Sequence, residues 1–216
     1  MYYEQSSDKR KSKNDDTETI NRTIRLFDII AALLAIVISA PVTLIIAILI
    51  KLDDPKGPIF FKQQRIGKNQ RPFYMYKFRS MHVDAEAKLE ALLAENEMEG
   101  HMFKMKNDPR ITKIGRFIRK TSLDEFPQFL NILKGDMSFV GPRPPLEREV
   151  ANYTEYDLKR LAVTPGCTGL WQVSGRNTLT FEQMVELDLK YIRERSMWLN
   201  IKILCATFKE FAGKGM

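Results

Sequence analysis

Cysteine and histidine are almost missing from this chain of 216 residues: there are two of each. Cys167 and Cys205 lie far apart and show no CxxC spacing, so neither a disulfide framework nor a zinc site is indicated, and a reducing compartment is the default reading. His82 and His101 are isolated and read as structural or solvated. The chain also lacks G-x-x-x-x-G-K-[ST], H-E-x-x-H and G-x-S-x-G, which leaves P-loop, zincin and serine-hydrolase chemistry without support. No internal repeat is found. The length suits one ordinary domain plus an appendage and is too short for two full domains.

Acidic residues are outnumbered, giving a formal charge of +7, but the surplus is uneven. Residues 1–28 hold six Lys/Arg against six acids, so the whole excess lies beyond residue 50. Such a surplus suits nucleic acid, anionic lipid or a phosphorylated substrate, and charge alone does not choose among them. The first 21 residues are polar with little to bury, and they read as a mobile tail.

What the chain does possess is an uncharged run of 22 residues, Ile29 to Ile50, whose polar members are Ser39 and Thr43. As one helix it would be roughly 33 Å long, enough for a hydrocarbon core. A secretory signal does not fit, because nearly thirty polar residues come first and no small-x-small cleavage pattern follows. Pro41 sits just past the middle, where a missing N–H and a ring clash bend or break a helix at a cost of ~3 kcal/mol or more. Basic residues flank both ends: six precede the run, and Lys51, Lys56, Lys62, Arg65 and Lys68 follow it. The usual asymmetry that orients a crossing helix is nearly absent. Residues 22–50 are therefore expected to form a re-entrant helix, broken near Ser39 and Pro41, with both ends on the cytoplasmic side; a kinked crossing is the alternative.

Residues 51–216 are expected to form one catalytic domain of helix-rich α+β type. Segments rich in Phe, Tyr and Ile flank a Gly67-Lys68-Asn69 turn signal between Pro58 and Met81, which predicts a hairpin. Helical patterns cover Val83–Glu97, Lys113–Lys120, Ser122–Leu133, Leu146–Leu161, Phe181–Arg195 and about Leu199–Ala212. Some of these are amphipathic enough to lie along a membrane interface.

The most informative stretch runs from Arg119 to Pro144. Asp124 and Glu125 are adjacent, so on a helix their side chains diverge by roughly 100° and cannot flank one bond as a glycosidase pair does. They could divide labour, one as nucleophile or metal ligand and the other as its helper. Ser122-Leu-Asp-Glu125 also fits an S-x-x-E capping box, and the two readings are compatible. Gly141-Pro142-Arg143-Pro144 is a stiff loop that could keep an arginine pointed at an anion, or merely a Pro-rich turn with a surface arginine. Residues Gly166 to Asn177 combine three glycines, Trp171, Arg176 and Asn177, a mixture suited to a base and a phosphate, although a structural turn explains it as well.

In their order, Tyr76-Lys-Phe-Arg-Ser-Met81, Ser122-Leu-Asp-Glu125, Lys134-Gly-Asp-Met-Ser138, Val140-Gly-Pro-Arg-Pro144 and Gly169-Leu-Trp-Gln-Val-Ser-Gly-Arg-Asn177, with the Pro-containing apolar helix, resemble the bacterial sugar transferase family. These are monotopic phosphoglycosyl transferases that start undecaprenyl-linked glycan synthesis, and the likeness runs from about Thr23 to Phe208. It implies ping-pong chemistry in which Asp124 attacks the β-phosphate of a UDP-sugar, expels UMP and carries a phosphosugar until undecaprenyl phosphate takes it. Glu125 completes the dyad and Mg²⁺ assists, with Asp124 as the implied metal ligand. By the same resemblance Lys77, Arg79, Arg119, Arg143 and Arg176 bind phosphate or nucleotide.

The implied partners are a UDP-sugar, undecaprenyl phosphate and a bilayer containing anionic lipid, with a second copy of the chain as a candidate and no nucleic acid. The implied location is the cytoplasmic face of a bacterial inner membrane. Two departures stand out: Ser39-Ala40-Pro41 where members often have Ser-Pro, and Asn200 where many have an acid. The spanning helices that precede this region in longer members are lacking, so the likeness is to the short, catalytic-core form. A silent membrane adaptor and a glycosyltransferase that releases UDP are the competing readings.

Overall fold

The computed structural model describes residues 2–85, 87–92, 105, 108–175 and 178–213, with side chains from Thr17 onward except at 89, 90 and 211–213. It begins with one long helix, α1 (Tyr2–Asp53). The helical backbone thus reaches back through the stretch expected as a tail, supported by an i,i+4 pair between Glu18 and Arg22. It also continues through Pro41, where the sequence predicted a break. One lost N–H leaves the neighbouring helical bonds available, and the Ser39 hydroxyl donates to the Ile36 carbonyl at 3.4 Å.

Packing divides α1 into three parts. Ile24, Asp28 and Ala32, spaced four apart, are buried on one face; Ile46 and Ile50 are buried at the far end; from Leu33 through Ile45 no residue is buried. Val37 and Ile38 are 72% and 76% exposed, an arrangement that water penalises and hydrocarbon does not. Among the described residues, α1 holds the one helix segment long and apolar enough to cross a membrane.

After α1, strand β1 (Phe60–Ile66) turns through a 3₁₀ segment at Lys68–Gln70 into β2 (Pro72–Phe78), giving the expected antiparallel hairpin with Arg65 opposite Phe73 and Phe61 opposite Lys77. The turn holds Asn69 and Gln70 at positive φ. The helix predicted over Val83–Glu97 starts late: the described residues from Val83 to Lys88 form turns, and only the short α2 (Leu89–Leu92) is helical, while residues 86 and 93–97 lie outside the described residues.

Next comes α3 (Lys113–Lys120), matching its predicted span, with the Thr112 hydroxyl accepting the Gly115 N–H at 2.9 Å. The helix predicted over Ser122–Leu133 is instead a 3₁₀ turn at Leu123–Glu125 followed by α4 (Gln128–Lys134). Gly135 ends α4 at φ 89°, a conformation cheap only for glycine. Strand β3 (Ser138–Val140) leads to α5 (Glu147–Val150), α6 (Glu155–Leu158) and a 3₁₀ turn at Lys159–Ala162, so the single helix predicted over Leu146–Leu161 is divided. The division falls where Thr154 and Asp157 form a new capping box.

Strand β4 (Gly166–Thr168) pairs in parallel with β3, and the pairing needs a glycine: a Cβ on Gly166 would lie 2.1 Å from the Gly141 nitrogen. Helices α7 (Leu170–Val173), α8 (Phe181–Glu194) and α9 (Met197–Gly213) complete the chain. A Thr180–Gln183 capping box starts α8. On α9, Ile203 turns inward while Trp198 and Phe208 remain exposed. The architecture is helix-rich α+β with two small two-stranded sheets among the described residues.

Both flanks of the apolar segment return to the same small body. Ala32 packs with Met75, Ile132 and Met137, whereas Ile46 and Ile50 pack with Phe78 and Ile118. Met75 and Phe78 are roughly 10 Å apart along β2, while the helical path from Ala32 to Ile46 covers roughly 21 Å. At the first flank, Arg25 donates to the carbonyls of Ile132 and Leu133 at the negative end of α4. Asp28 there accepts from the Ser138 hydroxyl and the Phe139 N–H, both at 3.1 Å.

Candidate active site

The adjacent carboxylates lie on the turn between α3 and α4, held there by the packing of their neighbours. Leu123 and Phe126, on either side of the pair, pack against the cluster formed by Ile46, Ile50, Phe78 and Ile118. The turn therefore rests on the end of the apolar segment of α1. Ser122 enters it at φ 57°, an uncommon conformation for a residue with a side chain, and its hydroxyl caps nothing. This overturns the capping-box reading of Ser122–Glu125: the carboxylates are not spent on a helix N-terminus of the kind that motif describes.

In a 3₁₀ turn successive side chains diverge by roughly 120°, and the pair is used accordingly. Asp124 is 8% exposed, whereas the side chain of Glu125 is 41% exposed. Glu125 Oε1 accepts from Lys77 Nζ at 2.8 Å. Burial pushes the Asp124 carboxyl up to about 6; Lys77 and Arg119 pull it down, and the negative charge of Glu125 adds to the rise. The group is still ionised at neutral pH but poorly hydrated.

Two predicted cations act on this pair directly, and a third is linked to it through Arg65. Lys77 holds Glu125 directly, Arg119 in the last turn of α3 acts on Asp124 through its field, and Arg143 lies within electrostatic reach of Arg65, which also feels Glu125. Arg65 was not singled out from the sequence, where it read only as part of a basic flank. Its burial could not be seen there, because it depends on the Pro144 carbonyl 79 residues away.

Arg79 has a different place. Its Nη1 donates to Asp54 Oδ2 and its Nη2 to the Asp54 carbonyl, both at 2.8 Å, so its guanidinium is committed to the exit of α1 instead of a phosphate. Replacement by Met is expected to act on stability, costing roughly 2–3 kcal/mol by leaving the partly buried Asp54 carboxylate without its cation. Thermal unfolding with kinetics on the surviving folded fraction checks this: a lower Tm with near-normal KM is the expected pattern.

Trp171 is 6% exposed in α7, so its indole belongs to the core and is not offered to a base, as the glycine-rich segment had suggested. Arg176 and Asn177 lie outside the described residues. Asn200, one of the two departures from the resembling family, is buried, with its Oδ1 2.9 Å from the Tyr191 hydroxyl, which is also 3.0 Å from the Val140 carbonyl. It thereby supports β3 immediately before the Gly141–Pro144 loop.

For a cation, no group of three His, Cys, Asp or Glu side chains is found among the described residues. The hard oxygens of the Asp124–Glu125 pair still fit Mg²⁺, which is commonly held by one or two carboxylates and completed by water and substrate phosphate.

Comparison with known proteins bears on the chain as a whole. A family model described as bacterial sugar transferase matches residues 20–214. The chain is 52% identical over 186 residues to a galactosyl transferase CpsE of Streptococcus agalactiae serotype III (strain NEM316), covering 86% of this chain and 41% of that protein. It is 45% identical over 190 residues to an undecaprenyl-phosphate galactose phosphotransferase of Salmonella typhimurium (86% and 39%). A UDP-glucose:undecaprenyl-phosphate glucose-1-phosphate transferase of Escherichia coli (strain K12) is 42% identical over 208 residues (90% and 42%). The chain thus spans about two fifths of the length of these relatives.

Proposed function

Because this chain belongs to the bacterial sugar transferase family, we propose that it moves a sugar 1-phosphate from a UDP-sugar to undecaprenyl phosphate, releasing UMP and initiating a lipid-linked glycan such as an exopolysaccharide or capsule. The observation that carries this reading is Asp124: a buried carboxylate on a strained turn, flanked by Glu125 and by cations, resting on the end of an apolar helix. An Asp oxygen attacks the β-phosphorus; the bond from that phosphorus to the oxygen bridging the two phosphates breaks, and UMP leaves with the electron pair. The phosphosugar then stays on Asp124 as an acyl phosphate. An oxygen of undecaprenyl phosphate attacks the same phosphorus and returns Asp124 to its carboxylate form.

Two anions must approach each other here, so the positive groups matter most. Lys77 keeps Glu125 beside the reacting centre, and Arg119 and Arg143 spread charge off the pyrophosphate. Mg²⁺, held by Asp124 together with substrate phosphate, would supply further neutralisation of that charge.

The location follows from the acceptor, whose phosphate is confined to the bilayer surface while the donor is dissolved in water. The exposed middle of α1 and its two docked flanks support a re-entrant helix dipping from the cytoplasmic face, with exposed Trp198 and Phe208 of α9 suited to the same interface. Tags placed before Arg22 and after Met216 are therefore expected to be reachable from the cytoplasmic side alone. An N-terminal tag labelled from outside would establish a crossing helix.

The activity itself is tested by incubating the protein with polyprenyl phosphate and a panel of UDP-sugars and identifying the nucleotide released. UMP supports phosphosugar transfer; UDP would indicate sugar transfer without phosphate.

A further inference from the structure

Three of the five residues in the Gly141–Pro145 loop are prolines, so the loop has few donors and its carbonyls must be satisfied from outside. Each proline carbonyl finds such a partner. The Gly166 N–H donates to Pro142 O at 2.9 Å, the Ile66 N–H to Pro145 O at 2.9 Å, and Arg65 Nη1 to Pro144 O at 3.0 Å. Two consecutive residues of β1 thus hold two consecutive carbonyls. Within the loop Arg143 alone is not buried, so the restraint falls on a frame from which that one side chain emerges.

The contact to Pro144, the residue after Arg143, is the one made by a side chain, and the choice of side chain is costly. Arg65 is 6% exposed, its Nη2 donates to Gln63 Oε1 at 2.7 Å, and its Nε is buried without a partner. A neutral donor could hold a carbonyl without the cost of burying a cation. The charges around Arg65 include Arg143, Glu149, Glu125 and Arg148, which link the loop to the carboxylate turn.

We propose that Arg65 is a positioning residue for phosphoryl transfer: its guanidinium pins the Pro144 carbonyl and so keeps Arg143 aimed at the donor pyrophosphate beside Glu125. This inference rests on the transfer reading above. It has a specific consequence, because a residue that acts through Arg143 has nothing left to do once Arg143 is gone.

The test is a double-mutant cycle on the full chain in its membrane, with Arg65→Met, Arg143→Met and the double variant, following nucleotide release and UDP-sugar binding, with Tm measured for each. Arg65→Met is expected to lower kcat/KM by about 100-fold, as misplacement of a substrate-positioning group does. The double variant should fall within roughly threefold of Arg143→Met alone. Arg65→Lys keeps the charge but cannot reach Gln63 and Pro144 together, so it should recover part of the loss. Full activity in a folded Arg65→Met, or a double loss equal to the product of the single losses, overturns the proposal. Should Arg65→Met fail to fold, the same cycle with Arg65→Lys decides. A wild-type protein that releases UDP overturns the transfer reading separately, since the cycle can then be run on UDP release.

Discussion

Asp124→Asn is expected to abolish phosphosugar transfer, lowering kcat by roughly 10⁴-fold or more while leaving the protein folded. The amide has nearly the shape of the carboxylate but no lone pair basic enough to attack phosphorus. The fold should tolerate it because Asp124 is held in the body by Leu123 and Phe126 on either side, which pack independently of its charge. Stability should even shift in the variant's favour. The carboxyl binds its proton more tightly in the folded protein, near 6, than at its ordinary value of 3.8, so its contribution is fully present below about pH 4 and is lost as pH rises through about 6. In EDTA the wild type should therefore lose stability over that window relative to Asp124→Asn. Unfolding curves at pH 4 and pH 7.5, beside UMP release, check both halves; substantial turnover by the variant would remove Asp124 from the nucleophilic role.

The second large effect is expected at Lys77. Lys77→Met removes the ammonium 2.8 Å from Glu125 and the largest of the cationic influences on Asp124, and should reduce kcat by about 10²–10³-fold. Its effect on folding should be small, because the Glu125 side chain is 41% exposed and water can replace much of what the ion pair supplied. A large drop in kcat with Tm almost unchanged separates this role from a structural one. Equal losses in Tm and activity would assign Lys77 to the frame instead. The contrast with Arg79, two residues away on the same motif, is direct: there the pair is mostly buried, and stability is the expected readout.

These two neighbours illustrate what the sequence could and could not convey. Lys77 and Arg79 looked alike as cations of one motif, but their partners, Glu125 and Asp54, come from opposite directions along the chain and only folding sorts them. Local signals were reliable where local physics decides the outcome. The Gly67-Lys68-Asn69 turn makes a hairpin, and the apolar spacing of Lys113–Lys120 and Phe181–Glu194 makes helices close to the predicted bounds. Ser122–Glu125 misled for the opposite reason. Its spacing satisfies a capping box, yet tertiary packing of Leu123 and Phe126 draws the chain into a 3₁₀ turn that begins at positive φ, and the capping bond is never made. The docking of both flanks of α1 was equally invisible to hydropathy, since it depends on Met75 and Phe78 of one strand each joining a separate cluster with residues forty or more positions further along the chain.

The most direct measurement needs the donor alone. Protein incubated with its UDP-sugar, without lipid phosphate, is expected to gain the mass of one phosphosugar, mapped by peptide analysis to Asp124 and absent from Asp124→Asn. Stoichiometric UMP should accompany it. An unmodified protein, under conditions where adding the lipid phosphate gives rapid turnover, would contradict a covalent route through this carboxylate.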